Sequence, residues 1–139
     1  MKIAFGADES TECTMAVLGY LQEYGDEVLE TGGRDTPWPV YARRVGELVA
    51  QREADLGVVM CWTGTGTCIA ANKVHGVRAA SAWEPWIARG ARYWNDANVL
   101  ALSHKRLAPD VAVECVKAFL ETPGYDPAEA ENIDQLRDR

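Results

Sequence analysis

Apolar residues along this chain fall into two kinds of segment. Some are short unbroken runs, and others recur every third or fourth position. Unbroken runs bounded by turn residues predict buried strands, and the 3–4 spacing predicts helices packed by one face. The run Lys2–Ala7 stops at Asp8-Glu9-Ser10, and a helix is expected over about 11–24, with Met15, Leu18 and Leu21 on one face and Gly25 at its end. Glu27–Thr31 reads as a second strand, Gly32–Pro39 as a Gly/Pro-rich loop, and Tyr41–Arg52 as a helix with Val45, Leu48 and Val49 turned inward. Leu56–Cys61 is the most apolar strand, followed by a Gly/Thr turn and a short helix at about 67–73. Arg78–Trp83, Pro85–Tyr93, Val99–Leu102 and Pro109–Glu121 continue the series as strand, helix, strand and helix. The segment after Pro123 is polar and expected to be only partly helical.

Strands that are apolar on both faces and alternate with helices predict a parallel sheet covered on both sides. Right-handed crossovers then make it a doubly wound, five-stranded, Rossmann-like α/β domain. Neither a repeat nor a linker divides the chain, so residues 1–122 are expected to form the domain and 123–139 a tail packing on a partner subunit. In such sheets, ligands bind beyond the carboxyl ends of the strands. Those ends are Asp8-Glu9, the Gly32–Pro39 loop, Cys61–Gly66, Trp83-Glu84 and Ser103–Lys105.

Composition narrows the partners. The chain has 139 residues, one domain's worth, and a net charge of −7. A surplus of anions argues against nucleic acid and against an anionic membrane surface. No apolar run approaches the length of a membrane span, and no signal-peptide pattern precedes the first strand, so a cytoplasmic location is expected. The four cysteines, Cys13, Cys61, Cys68 and Cys115, form no CxxC pair, and His75 and His104 are the only histidines. Neither a zinc site nor a disulfide framework is expected; most of the thiols read as small core hydrophobes, with at most one doing chemistry.

The candidate for that chemistry is Cys61, which ends the central strand at Cys61-Trp62-Thr63-Gly64-Thr65-Gly66. Glycines there allow successive amides to face one concavity, and the following helix N-terminus adds a field that suits an oxyanion. The same field lowers the pKa of a thiol, making Cys61 a base or nucleophile near neutral pH. The pattern is neither the dinucleotide fingerprint nor a Walker loop. A purely structural reading, a tight strand-to-helix turn, stands beside the functional one.

Cys61 to Gly66, running into Ile69-Ala70-Ala71-Asn72-Lys73 and Gly76-Val77-Arg78-Ala79, resembles the ribose 5-phosphate isomerase B and galactose 6-phosphate isomerase family. Lys2–Asp8, Pro39-Val40-Tyr41-Ala42 and Asn95–Ala101 match in the same order. The resemblance implies an aldose–ketose isomerase that needs no metal or cofactor, a homodimer or tetramer with sites shared between subunits. It implies Cys61 as the base moving a proton through a cis-enediolate, with Thr67 where another branch places a glutamate. Gly64, Thr65 and Gly66 would stabilise the developing negative charge, Thr63 would hold the thiol or a substrate hydroxyl, and Asn95 would bond the sugar. Asp8 matches the aspartate that binds the sugar and helps open its ring, with an N-cap of the first helix as the lesser reading of the residue itself.

The sequence also departs from that family. Glu9 and Trp94 replace two histidines, and Glu9 could serve as an acid–base group if its pKa were raised. Trp62 replaces a glycine; with Trp94 it could stack on a sugar or narrow the cleft. Two tail arginines that clamp phosphate are absent. From 122 onward, five acids face only Arg137 and Arg139. Lys105 stands where a further phosphate-binding arginine is expected, with Arg106 beside it and Arg34 as another candidate. The substrate expected is therefore a small sugar, either a phosphate or, in preference, a non-phosphorylated or otherwise modified one. The alternatives are a non-catalytic sugar-binding subunit of a heteromeric isomerase and an epimerase using the same enediolate.

Overall fold

The computed structural model describes residues 1–137. Five parallel strands, β1 (Lys2–Ala7), β2 (Glu27–Glu30), β3 (Leu56–Cys61), β4 (Ala79–Ser81) and β5 (Val99–Ser103), form one sheet in the order β2-β1-β3-β5-β4. Helices α1 (Glu12–Tyr24), α4 (Pro85–Asn95) and α5 (Pro109–Glu121) cover one face, and α2 (Trp38–Ala50) and α3 (Thr65–Asn72) the other. Ile3, Phe5, Val58, Met60, Leu100 and Leu102 point into the first layer; Ala4, Val59, Val99 and Ala101 point into the second. The sheet is thus doubly wound, as the alternation of segments predicts. β1 and β3 are neighbours at the point where the chain reverses its direction of travel across the sheet, the usual place for a ligand crevice.

Within α1 the buried face is Cys13, Thr14, Val17 and Leu21, and Met15, expected there, is exposed; the other differences from expectation lie at element ends. α3 begins at Thr65 because Gly64 takes a left-handed conformation (φ +78°) and caps it; a Cβ there would also lie 2.9 Å from the Leu102 carbonyl carbon. α2 starts at Trp38, with Pro39 in its first turn, where a missing N–H costs nothing. α4 runs to Asn95 and stops at Asp96 (φ +50°), whose carboxylate pairs with Arg78 and Arg92. β4 is short, an edge strand with a single partner. α1 is capped by a reciprocal Thr11–Thr14 box, so Asp8 is not its cap.

The segment beyond Pro123 forms a 3-10 turn (Pro127–Glu129) and a short helix, α6 (Ala130–Asp134). It folds back on its own chain: the Asp126 amide donates to the Tyr93 carbonyl (2.7 Å), and Ile133 is buried. Burying that side chain is worth about 2 kcal/mol. Arg137 pairs with Asp134 (3.0 Å). Asp138 and Arg139, part of the tail charge count, lie outside the described residues.

Candidate active site

Cys61 is buried at the last position of β3. Its sulfur accepts the Gly64 amide at 3.2 Å and lies 3.4 Å from the Thr67 hydroxyl. Burial works against ionisation of the thiol. Hydrogen bonding from the Thr67 hydroxyl and from the Thr67, Gly64 and Thr63 amides outweighs it, and the pKa falls below the ordinary cysteine value. The side chain on the sulfur is therefore Thr67, not Thr63, whose hydroxyl pairs with that of Thr65 (2.7 Å). The Gly64 amide is likewise engaged by the sulfur, and the Thr65 amide donates to the Thr63 hydroxyl (3.3 Å), which leaves the Gly66 amide at the α3 N-terminus as the better-placed donor for a substrate oxygen. At Gly66 a Cβ would lie 3.0 Å from the Trp38 ring, so the absent side chain lets the indole close on the turn.

The end of β1 brings Asp8 to the same place. Its Oδ1 lies 3.1 Å from Nε2 of His104, the residue directly after β5, whose own amide donates to the Cys61 carbonyl (3.0 Å). Tyr41, fully buried on α2, donates its hydroxyl to the Met60 carbonyl; burial, with the charges of Asp8 and Cys61, drives its phenol pKa far upward, so it stays protonated. Sequence reading assigned neither residue a role: His104 entered only within the Ser103–Lys105 strand end, and Thr67 only as the residue where another branch places a glutamate. The available signals were a histidine immediately beyond a buried strand, at the ligand-bearing edge, and a hydroxyl one helical turn past the glycine cap.

Glu9, Trp62 and Lys105 form the exposed rim. The Trp62 indole N–H donates to Glu9 (2.7 Å), and the Lys105 ammonium sits 4.7 Å from the centre of a Trp62 ring. The indole hydrogen bond, helped by His104 and Lys105, holds the Glu9 carboxyl below its ordinary pKa. That shift is opposite in sign to the one an acid–base role would need. Asp8, Glu9 and His104 each place one possible ligand atom within 4.8 Å of the others. Their existing partners are one another and Trp62. A cavity of about 740 Å³ opens beside Asp8 and Glu9, on the side of β1 away from Cys61, with Arg34 in its wall.

Trp94 and Asn95 are not in this crevice. They end α4, just ahead of Asn98, whose carbonyl accepts from Gly57 near the start of β3. They therefore lie at the amino edge of the sheet, separated from Cys61 by the length of β5, roughly 16 Å at about 3.3 Å per residue. The expectation that Trp62 and Trp94 face one cleft fails within a single chain. Trp94 instead packs edge-on against Trp86, ring centroids 5.3 Å apart.

Residues 3–136 match the family model described as Ribose/Galactose Isomerase. Ribose-5-phosphate isomerase B of Escherichia coli is 39% identical over 123 residues, covering 86% of this chain and 83% of that protein. D-erythrulose-4-phosphate isomerase of Pectobacterium atrosepticum is 30% identical, covering 98% and 93% of the two chains. The crystal structure of a ribose 5-phosphate isomerase from Thermotoga maritima superposes with a TM-score of 0.89 at 35% identity, covering 97% and 96%.

Proposed function

Because the chain belongs to the ribose/galactose isomerase family, and is an aldose–ketose isomerase of the sugar phosphate type, we propose that Cys61 is the base that moves the proton between C1 and C2. The observation that carries this reading is a thiol made more acidic, despite burial, by amides and a hydroxyl at a helix N-terminus. The thiolate takes the C2 proton of the aldose, the electron pair forms the C1–C2 double bond, and the proton returns to C1 as the O2 proton passes to O1. The Gly66 amide and the field of the α3 N-terminus serve the oxygen on which charge develops, and Asp8 bonds a sugar hydroxyl. Thr63, through its pairing with Thr65, shapes the same wall.

Asn95 and Trp94 enter this reading through a second copy of the chain. A homodimer or tetramer, in which the amino edge of one subunit meets the carboxyl edge of another, would complete each site. The tail, docked along α4, would share that interface. A cytoplasmic, reducing location suits a chain whose four described cysteines are all free and one of which must remain a thiol.

The distal end of the substrate is the weakest part of the site. Glu9 stays ionised at the rim, Lys105 is engaged on Trp62, no cation stands between 122 and 136, and Arg137 is paired with Asp134. Two charge-assisted clamps are normally worth about 3–6 kcal/mol together. Ribose 5-phosphate should therefore be a poorer substrate than a sugar with a neutral or differently substituted end. The test is a panel of free and phosphorylated tetroses, pentoses and hexoses, read by solvent-deuterium incorporation beside the carbonyl and by kcat/KM. Binding without exchange would favour the non-catalytic subunit, and exchange with inversion but no ketose the epimerase. A high kcat/KM on ribose 5-phosphate that collapses in Lys105→Ala would show that one lysine replaces the clamp.

A further inference from the structure

We propose that His104 is a positioning residue, which fixes the Asp8 carboxylate over the crevice; the proposal rests on the reading of that crevice as the isomerase centre. The pair spans the site. Asp8 follows β1 and His104 follows β5, and β3, ending in Cys61, lies between them. His104 is held at both ends, by its amide on the Cys61 carbonyl and by its ring on Asp8. Its side chain has no exposed surface, whereas that of Asp8 is 24% exposed. The histidine cannot itself meet a substrate, and the aspartate can.

The ring's two nitrogens differ in a way that selects its tautomer. Nε2 faces Asp8, while Nδ1 is buried without a hydrogen-bond partner among the described residues. A proton on Nε2 makes the bond to Asp8 and leaves Nδ1 bare. A proton on Nδ1 alone would strand a buried donor and turn the Nε2 lone pair on a carboxylate, losing at both ends. The geometry therefore requires Nε2–H to donate to Oδ1. One carboxylate oxygen is thereby pinned, and the other is left free to accept from a sugar hydroxyl. Without the pin, a short side chain on a turn would rotate away, since α1 takes its cap from Thr11 and, among the described residues, no helix amide is bonded to the Asp8 carboxylate.

Three variants, the wild type and one spectroscopic measurement test this. His104→Leu removes the donor at similar volume, and His104→Gln restores an N–H near the Nε2 position. The Leu variant should lose about tenfold to a hundredfold in kcat, the scale of a misplaced group, with a much smaller change in KM. The Gln variant should recover most of that loss. Nitrogen-15 NMR of the imidazole should show Nε2 protonated and hydrogen-bonded in the wild type, with that signature lost in Asp8→Ala. Wild-type kcat in His104→Leu, no recovery in His104→Gln, or a proton on Nδ1 would each overturn the proposal. Should the Leu variant not fold, the Gln variant and the spectrum still decide. Should the wild type turn over no sugar, the isomerase reading fails, and the spectrum separately reports whether His104 holds Asp8.

Discussion

At the carboxyl edge of the sheet, Asp8, Cys61 and His104 come from three adjacent strands and meet within hydrogen-bonding reach of one another or of one another's backbone. At the amino edge, Trp94 and Asn95 close α4, and the Asp96 behind them is clamped by Arg78 and Arg92. The first edge has a shifted thiol, a carboxylate and a helix N-terminus; the second has aromatic rings, an exposed amide and an acidic tail. What separates them is strand length, because parallel strands send every β-to-α turn to one edge and every α-to-β turn to the other. On the proposed reading, one subunit would carry the proton-transfer half of the site, and a sugar contact from Asn95 would have to come from a second subunit.

The largest effect should come from the carboxyl edge. Cys61→Ser is expected to lower kcat by about 10²–10⁴ with little change in sugar affinity, the scale of a lost general base. Near-full activity would move the base elsewhere. At the other edge, Asn95→Ala should cost about tenfold, the value of a hydrogen bond to substrate. Mixing it with Cys61→Ser should restore activity, because hybrid dimers contain one intact composite site. Absence of restoration, or light scattering showing a fully active monomer, would confine the site to one chain.

A finer effect separates the sulfur's two kinds of support. The thiol must be deprotonated to act, and its lowered pKa means that activity is present above that value and lost as pH falls through it. Thr67→Val removes a hydrogen bond that favours the thiolate, so the acid limb of kcat/KM should move to higher pH while the alkaline plateau is kept. A limb that stays in place would assign the shift to the backbone amides. The smallest effect is expected from Cys115→Ala. That thiol is fully buried, and burial pushes its pKa up to about 11, so it stays neutral. Activity per folded molecule should be unchanged, with a stability loss of about 1 kcal/mol by thermal denaturation.

The alternation of apolar runs and helical spacing was enough to place all five strands, because a strand buried on both faces leaves an unbroken apolar word such as Leu56–Cys61. Cys61 and its glycine turn were legible for the same reason: the strand's end and the φ-permissive residues after it are written consecutively. The resemblance of the Cys61–Lys73 block carried the reaction class. Element ends were less legible, since Gly64 and Asp96 set them through backbone conformations that composition only permits.

Partners across strands were not written in the chain at all. For Asp8 a helix cap stood as the lesser alternative to a sugar ligand until Thr11 proved to be the cap and His104, 96 residues away, proved to be the partner of Asp8. The resemblance offered Thr63 as the holder of the thiol or of a substrate hydroxyl, but the helical turn brings Thr67 to the sulfur. Glu9 was open to a raised pKa until the Trp62 indole turned the shift downward. Trp94 was assigned to the Trp62 cleft on a motif's order, which carries no statement of which edge it occupies. Periodicity and composition are local properties, and they fix what each segment is. Hydrogen bonds between side chains on different strands depend on sheet order and register, so only the tertiary structure decides which residues act together.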